Sequence, residues 1–198
     1  NTPGANANGV KELAVAGMLL ASRDIIGGVN WVQTVKDDEG VAKLVEKGKA
    51  KFAGQEIKGK KLGIIGLGAI GALVAQSAQA LGMTVIAYDP FAAGKTDIKL
   101  VELDEIFAQS DYITLHVPAT KDTKGMISEK SLATMKDGVK IINLARAELV
   151  NAADLAAAAL GINTAESCML ICVANTCNCN NLCRSSTIEA VSFQEECV

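Results

Sequence analysis

Gly66, Gly68 and Gly71 stand in the stretch Leu62-Gly-Ile-Ile-Gly-Leu-Gly-Ala-Ile-Gly71, where a short apolar run feeds a glycine loop and a helical pattern follows at once. A G-x-G-x-x-G loop in that context turns tightly at its first glycine and lets backbone approach a pyrophosphate at its second. At its third it packs helix on strand, and the anion rests on the free N–H groups of the helix N-terminus. Asp89 follows Gly71 by 18 residues and ends a second apolar run. A carboxylate there can accept hydrogen bonds from both hydroxyls of an adenosine ribose and would repel a 2′-phosphate, which favours NAD over NADP. Each residue has a plainer reading: a glycine-rich turn between two core elements, and a turn aspartate ahead of Pro90. The complete order of strand, loop, helix, strand and acid selects the dinucleotide reading.

Two further side chains could do chemistry. Arg146 follows an apolar strand and two small residues. A guanidinium there is suited to a bidentate grip on a carboxylate and to polarising a neighbouring carbonyl, with a surface pair to Glu148 as the alternative. His116, the only histidine, lies inside the apolar run Tyr112 to Val117. A polar residue so placed satisfies backbone or packs beside a cofactor more readily than it serves as a general acid or base.

The elements that must carry these residues alternate regularly. Asn6 and Asn8 can cap a helix whose apolar face is Val10, Leu13, Ala14, Gly17 and Ala21, ending near Ile26 before Gly27-Gly28. Residues 29–51 suggest one or two helices around Gly40, and 52–60 a turn-rich lead into the first strand. Then come a helix from Ala69 to about Leu81, a strand Val85 to Tyr88, and a loop Phe91 to Asp97. A helix Leu103 to Ala108, a strand Tyr112 to Val117, and a helix Ser128 to Met135 follow. A strand Val139 to Leu144 and a helix Ala152 to Leu160 complete the pattern. Apolar strands each followed by a helix imply an α/β fold of Rossmann type, a doubly wound parallel sheet with helices on both faces. Ligands of such a sheet gather at the carboxyl ends of its strands, where Gly66, Asp89, Val117-Pro118 and Ala145-Arg146 stand.

Composition narrows the class. The chain has 198 residues, 49% apolar, with a net charge of −3 and no basic run, so nothing invites nucleic acid. No apolar stretch has membrane-spanning length and the N-terminal residues do not read as a secretory signal, so the expectation is a cytoplasmic protein without a membrane partner. All six cysteines fall between Cys168 and Cys197. The spacings of Cys168, Cys172, Cys177, Cys179 and Cys183 contain no paired C-x-x-C, so no metal is expected and free thiols are the preferred reading.

Taken together these motifs resemble the nucleotide-binding domain of the D-2-hydroxyacid dehydrogenases, most of all its phosphoglycerate branch. The resemblance runs through Asn1 to Leu13 and Met18 to Asp24, Phe52 to Gly71, and Tyr88-Asp-Pro90. It continues through Leu103-Asp-Glu-Ile-Phe107, Asp111 to Pro118, Thr123 to Met126, and Met135 to Asn151. It implies NAD as cofactor and a small-molecule substrate, a 2-hydroxy acid such as 3-phosphoglycerate, in serine biosynthesis. It further implies Arg146 as the catalytic arginine that binds substrate carboxylate and carbonyl oxygen. The pyrophosphate would lie on Gly66, Gly68, Ala69, Ile70 and Gly71, the ribose on Asp89. Val117, Pro118, Leu144 and Ala145, with Arg146, would line the cofactor, and a homodimer would form through this domain with the first long helix contributing. If Val10 to Ile26 exposes a second apolar face (Val15, Met18, Leu19), that face is the expected contact.

The chain departs from the family pattern in several places. The segment from Phe91 to Val101 is shorter, and Ala147 replaces the glycine that follows the arginine. Residues 1–160 read as the NAD-binding domain, and 161–198 as a cysteine-rich tail replacing its end. The family's acid/base histidine would fall near Leu182, where there is none. The expectation is therefore a truncated chain that binds NAD without turnover, with a non-catalytic dinucleotide-binding or dimerisation module as the alternative.

Overall fold

The apolar runs after Lys60 pair side by side, because residues apolar on both faces of a strand can be buried only in the middle layer of a sandwich. The computed structural model describes residues 6–159 and 169–172. Six parallel strands, β1 (Lys61–Ile65), β2 (Thr84–Tyr88), β3 (Lys99–Leu100), β4 (Tyr112–Leu115), β5 (Lys140–Asn143) and β6 (Met169–Cys172), lie in the order β3-β2-β1-β4-β5-β6. The order reverses direction at β1 and β4, the crevice where doubly wound sheets take their ligands.

Period-two alternation sorts the strand residues between two cores. Leu62, Ile64, Val85, Ala87 and Ile142 face α1 (Ala7–Ser22) and α4 (Ala69–Ala80), meeting Ala14, Met18, Val74, Ala75 and Ala78. Ile65, Ile86, Ile113, Leu115 and Ile141 face the other way. They pack with Ile106 and Phe107 of α5 (Leu103–Gln109), Leu132 of α6 (Glu129–Leu132), and Leu155 of α7 (Ala152–Ala159). Each fully buried aliphatic side chain contributes about 2 kcal/mol, so both faces hold the sheet in place.

Several boundaries differ from the sequence expectation. The first helix stops at Ser22, not near Ile26, because Arg23 is extended and Asp24 starts a second helix, α2 (Ile25–Val35), by accepting from Gly27 N–H at 2.7 Å. Gly27-Gly28 thus sits in a first turn, and the break near Gly40 leads into α3 (Val41–Gly48). The strand expected over Tyr112 to Val117 ends at Leu115, and the helix expected over Ser128 to Met135 is only Glu129–Leu132. The sheet continues past residue 160, where the backbone of Met169–Cys172 pairs with β5 from Lys140↔Met169 to Asn143↔Cys172. The family-histidine position near Leu182 lies outside the described residues. So do Cys168, Cys177, Cys179, Cys183 and Cys197, and for Cys172 only the backbone is described.

The expected contact face on α1 is also corrected. Met18 is fully buried in the core and Val15 packs against it, so of the three only Leu19 is exposed. The apolar surface sits instead on α2, which has no buried residue and exposes Ile25 (48%), Ile26 (44%), Val29 (56%) and Val32 (38%). Among the described residues no helix is long and apolar enough to cross a membrane.

Candidate functional site

Four strands end in register. Ile65 pairs with Tyr88 and with Leu115, and Leu115 pairs with Asn143. The residues that follow, Gly66, Asp89, His116-Val117-Pro118 and Leu144-Ala145-Arg146, therefore emerge side by side along one edge. The structure thus brings the strand-end candidates, from Gly66 and Asp89 to Val117-Pro118 and Leu144-Ala145-Arg146, to one edge.

The glycine turn is built by close approach. Gly66 has φ +96°, which favours glycine, and a Cβ there would lie 2.7 Å from the His116 carbonyl and 2.8 Å from Val117 Cγ1. A Cβ on Gly71 would collide with the Gly66 carbonyl, so α4 can meet the turn only without a side chain there. Gly68 is different, since a Cβ would find nothing within 4 Å. Its surroundings are open to whatever approaches the loop. Gly68 caps α4 without a side-chain hydrogen bond, and Ala72 N–H donates to the Gly68 carbonyl at 3.0 Å. The amides ahead of Ala72, on Ala69, Ile70 and Gly71, have no acceptor within the helix. An open backbone position beside such donors, at the positive end of a helix dipole, fits a pyrophosphate.

Asp89 is half-buried and uses both oxygens. Oδ2 accepts from Leu67 N–H at 2.7 Å and Oδ1 from Phe91 N–H at 2.8 Å. Beside it, Tyr88, Asp89, Pro90, Ala93, Leu100, Val101 and Glu102 line a cleft of about 310 Å³. The 91–97 segment is loop as expected, but β3 at Lys99–Leu100 was missed, and its Leu100 lines that cleft. Two residues of unremarkable propensity leave no periodic signal.

Across the edge, Val117 and Leu144 are half-buried, packing against the two cores, and Ala145 joins them. Pro118 is exposed and its carbonyl accepts from Thr123 Oγ1 at 2.6 Å. Arg146 is exposed, and its Nη1 donates to the Ala145 carbonyl at 2.9 Å. Among the described residues it forms no ion pair, so the alternative pairing with Glu148 is not observed. Ala147 opens a 3-10 turn, Ala147–Leu149, a right-handed conformation in which its methyl carries no backbone penalty. The residue sequence reasoning missed is Asn143, fully buried, whose side chain bonds the backbone of Ala145 and Arg146. A lone amide in an apolar strand was the available signal.

His116 lies just beyond β4, with its N–H donating to the Ile65 carbonyl at 2.8 Å and its Nε2 3.0 Å from Thr114 Oγ1. Burial lowers its pKa from 6.5 to about 4, which leaves the ring neutral near pH 7.

Comparison with known proteins agrees with this geometry. Residues 15–166 match the family described as D-isomer specific 2-hydroxyacid dehydrogenase, NAD binding domain. The hydroxypyruvate reductase of Thermotoga maritima is 47% identical over 148 residues, covering 74% of this chain and 45% of that protein. The D-3-phosphoglycerate dehydrogenase of Archaeoglobus fulgidus is 42% identical over 159 residues, covering 78% of this chain and 28% of that protein. The chain thus spans less than half the length of either relative. Among solved structures, the NAD-dependent formate dehydrogenase of Staphylococcus aureus in complex with NAD superposes with a TM-score of 0.74 at 25% identity, over 94% of this chain and 55% of that one. The chain belongs to the D-isomer-specific 2-hydroxyacid dehydrogenases, as their NAD-binding domain.

Proposed function

We propose that this chain holds NAD along the carboxyl edge of the sheet and presents Arg146 to the carboxylate of a 2-hydroxy acid. The pyrophosphate lies on Gly66, Gly68, Ala69, Ile70 and Gly71, and the adenosine ribose on Asp89. The nicotinamide end lies between Val117-Pro118 and Leu144-Ala145. The observation that carries this reading is the open Cβ position at Gly68 beside uncapped α4 amides, flanked by two glycines that admit no side chain. Bound NAD supplies the hydride acceptor; the protein binds, orients and neutralises charge. Arg146, free of ion pairs among the described residues, offers its guanidinium to a carboxylate and an adjacent carbonyl oxygen.

The substrate we favour is 3-phosphoglycerate, oxidised to 3-phosphohydroxypyruvate in serine formation in the cytoplasm. The phosphoglycerate dehydrogenase relative supports it. The hydroxypyruvate reductase relative supports the 2-hydroxy or 2-oxo carboxylate head that both substrates share. This chain alone binds without turnover. Its single histidine has its Nε2 on Thr114 Oγ1 and a pKa lowered by burial to about 4, which makes it a poor acceptor for the proton of a substrate hydroxyl. We further propose that residues 1–160 form the NAD-binding domain, with 161–198 replacing its end and supplying the edge strand β6. A second copy of the chain covers the apolar α2 face.

An NADH titration of the 198-residue chain followed by nicotinamide fluorescence, with NADPH alongside, tests the reading. Saturable binding that prefers NADH is expected. Absence of binding would reject the cofactor assignment, and measurable phosphoglycerate oxidation would reject the claim of no turnover.

A further inference from the structure

The loop after β1 and the loop after β2 are bonded directly to each other through one carboxylate. Leu67, the residue between the first two glycines, gives its N–H to Asp89 Oδ2 at 2.7 Å. One residue earlier, Gly66 N–H donates to the Tyr88 carbonyl at 2.9 Å. Two successive amides of the turn are thus held by the last two residues of the β2 edge. The other oxygen, Oδ1, accepts from Phe91 N–H at 2.8 Å, which fixes the direction of the carboxylate.

The turn is otherwise held by packing, with Gly66 against His116 and Val117 and the Leu67 side chain on the core. Gly66 and Gly68 have no side chains, and no neighbour lies within 4 Å of a Cβ position at Gly68. Hydrogen bonds to a charged acceptor are roughly twice as strong as neutral ones, so the bond from Leu67 is a firmer tie than the neutral bond from Gly66 to the Tyr88 carbonyl. It also sets the plane of the peptide that leads into Gly68, and so the direction from which the first amides of α4 are approached.

We propose that Asp89 is a positioning residue for the pyrophosphate-binding turn in addition to its part at the ribose. The proposal rests on the NAD reading above. A carboxylate has about four lone-pair sites, so accepting two amides leaves room for two ribose hydroxyls, and the roles coexist. They differ in consequence. A residue that acts only on the ribose discriminates between cofactors, so its removal weakens NADH and relieves the repulsion of a 2′-phosphate, raising NADPH affinity. A residue that also shapes the turn supports the pyrophosphate common to both, so its removal costs NADPH more than the relieved repulsion returns and weakens both.

The experiment is a pair of titrations, NADH and NADPH, on the wild-type chain and on Asp89→Ala and Asp89→Asn, with amide resonances recorded for each. Expected are a loss of at least tenfold for NADH and at least fivefold for NADPH, with the Leu67 amide proton moving upfield as its charged acceptor disappears. Unchanged circular dichroism certifies the fold. Should Asp89→Ala not fold, the near-isosteric Asp89→Asn carries the test, since one amide oxygen cannot replace both carboxylate oxygens. Unchanged or increased NADPH affinity in the folded variant would overturn the positioning role while leaving the NAD reading intact. A wild type that binds neither dinucleotide would overturn both.

Discussion

Asn143 grips the backbone on both sides of the turn that presents Arg146: its Nδ2 donates to the Arg146 carbonyl at 2.8 Å and its Oδ1 accepts from Ala145 N–H at 3.1 Å. The side chain is fully buried at the end of β5, so the guanidinium is presented from a turn anchored in the core. Asn143→Leu keeps the volume and strips both backbone groups of their partner. The expected loss of stability is about 2–4 kcal/mol by chemical denaturation, the scale for two unsatisfied polar groups. A loss under about 0.5 kcal/mol would show that solvent replaces the clasp.

Gly66 and Gly68 should respond to alanine in opposite ways. At Gly66 the new methyl meets the His116 carbonyl from a φ of +96°, so Gly66→Ala should lower the melting temperature and NADH affinity together. At Gly68 the methyl meets nothing, so Gly68→Ala should leave melting unchanged while weakening NADH by about tenfold, or about 1.4 kcal/mol. Thermal melts paired with titrations check both. Equal NADH affinity in Gly68→Ala and wild type would place the pyrophosphate elsewhere.

His116 makes stability depend on pH in a defined window. Above pH 6.5 the ring is neutral in the folded and the unfolded chain, so it adds no dependence. As pH falls toward 4, the unfolded chain takes up a proton that the folded one refuses, and stability declines, by about 2 kcal/mol at pH 5. Below about pH 4 the decline stops, because the folded ring then protonates too. Denaturation at pH 7.5 and pH 5 should show a clearly smaller fall in His116→Gln than in wild type. An equal fall in both would assign the effect to other groups.

The exposed apolar row on α2 should govern assembly. Val29, more than half exposed, lies between Ile25, Ile26 and Val32. Sedimentation velocity should find wild type as a dimer and Val29→Asp as a monomer, with the helical signal retained. A wild type that sediments as a monomer at micromolar concentration, or a Val29→Asp variant that still pairs, would exclude this face.

The sheet was legible because its signal is long-range in sequence and simple in chemistry. Runs such as Leu62 to Ile65 and Val139 to Leu144 are apolar on both faces, and Gly82 and Pro118 mark where elements or their exits turn. The candidate site followed from strand ends alone, since a parallel sheet puts all its carboxyl termini on one edge. Local competition was harder to read. Gly27-Gly28 looks like a helix stop until the Asp24 side chain is seen capping the next helix. Met18 and Leu19 are equally apolar, and only the packing of α1 against α4 decides that one is buried and the other exposed. The Asp89 and Asn143 bonds to backbone depend on loop geometry at ångström scale, which residue types do not encode.

The strand order also sets a schedule for the growing chain. β1 occupies the middle of the sheet, yet its partner on one side, β4, pairs Leu62 with Tyr112, fifty residues later. At about 5–20 residues per second on the ribosome, that edge of β1 waits roughly 3–10 s for its partner while Leu62 and Ile64 are already synthesised. Gly63 in the same strand lowers the β-propensity of this bare edge, and Lys60-Lys61 places two charges at its start. Gly63 also serves the finished fold, since a side chain there would collide with Ser110 and Ile106 of the α5 side.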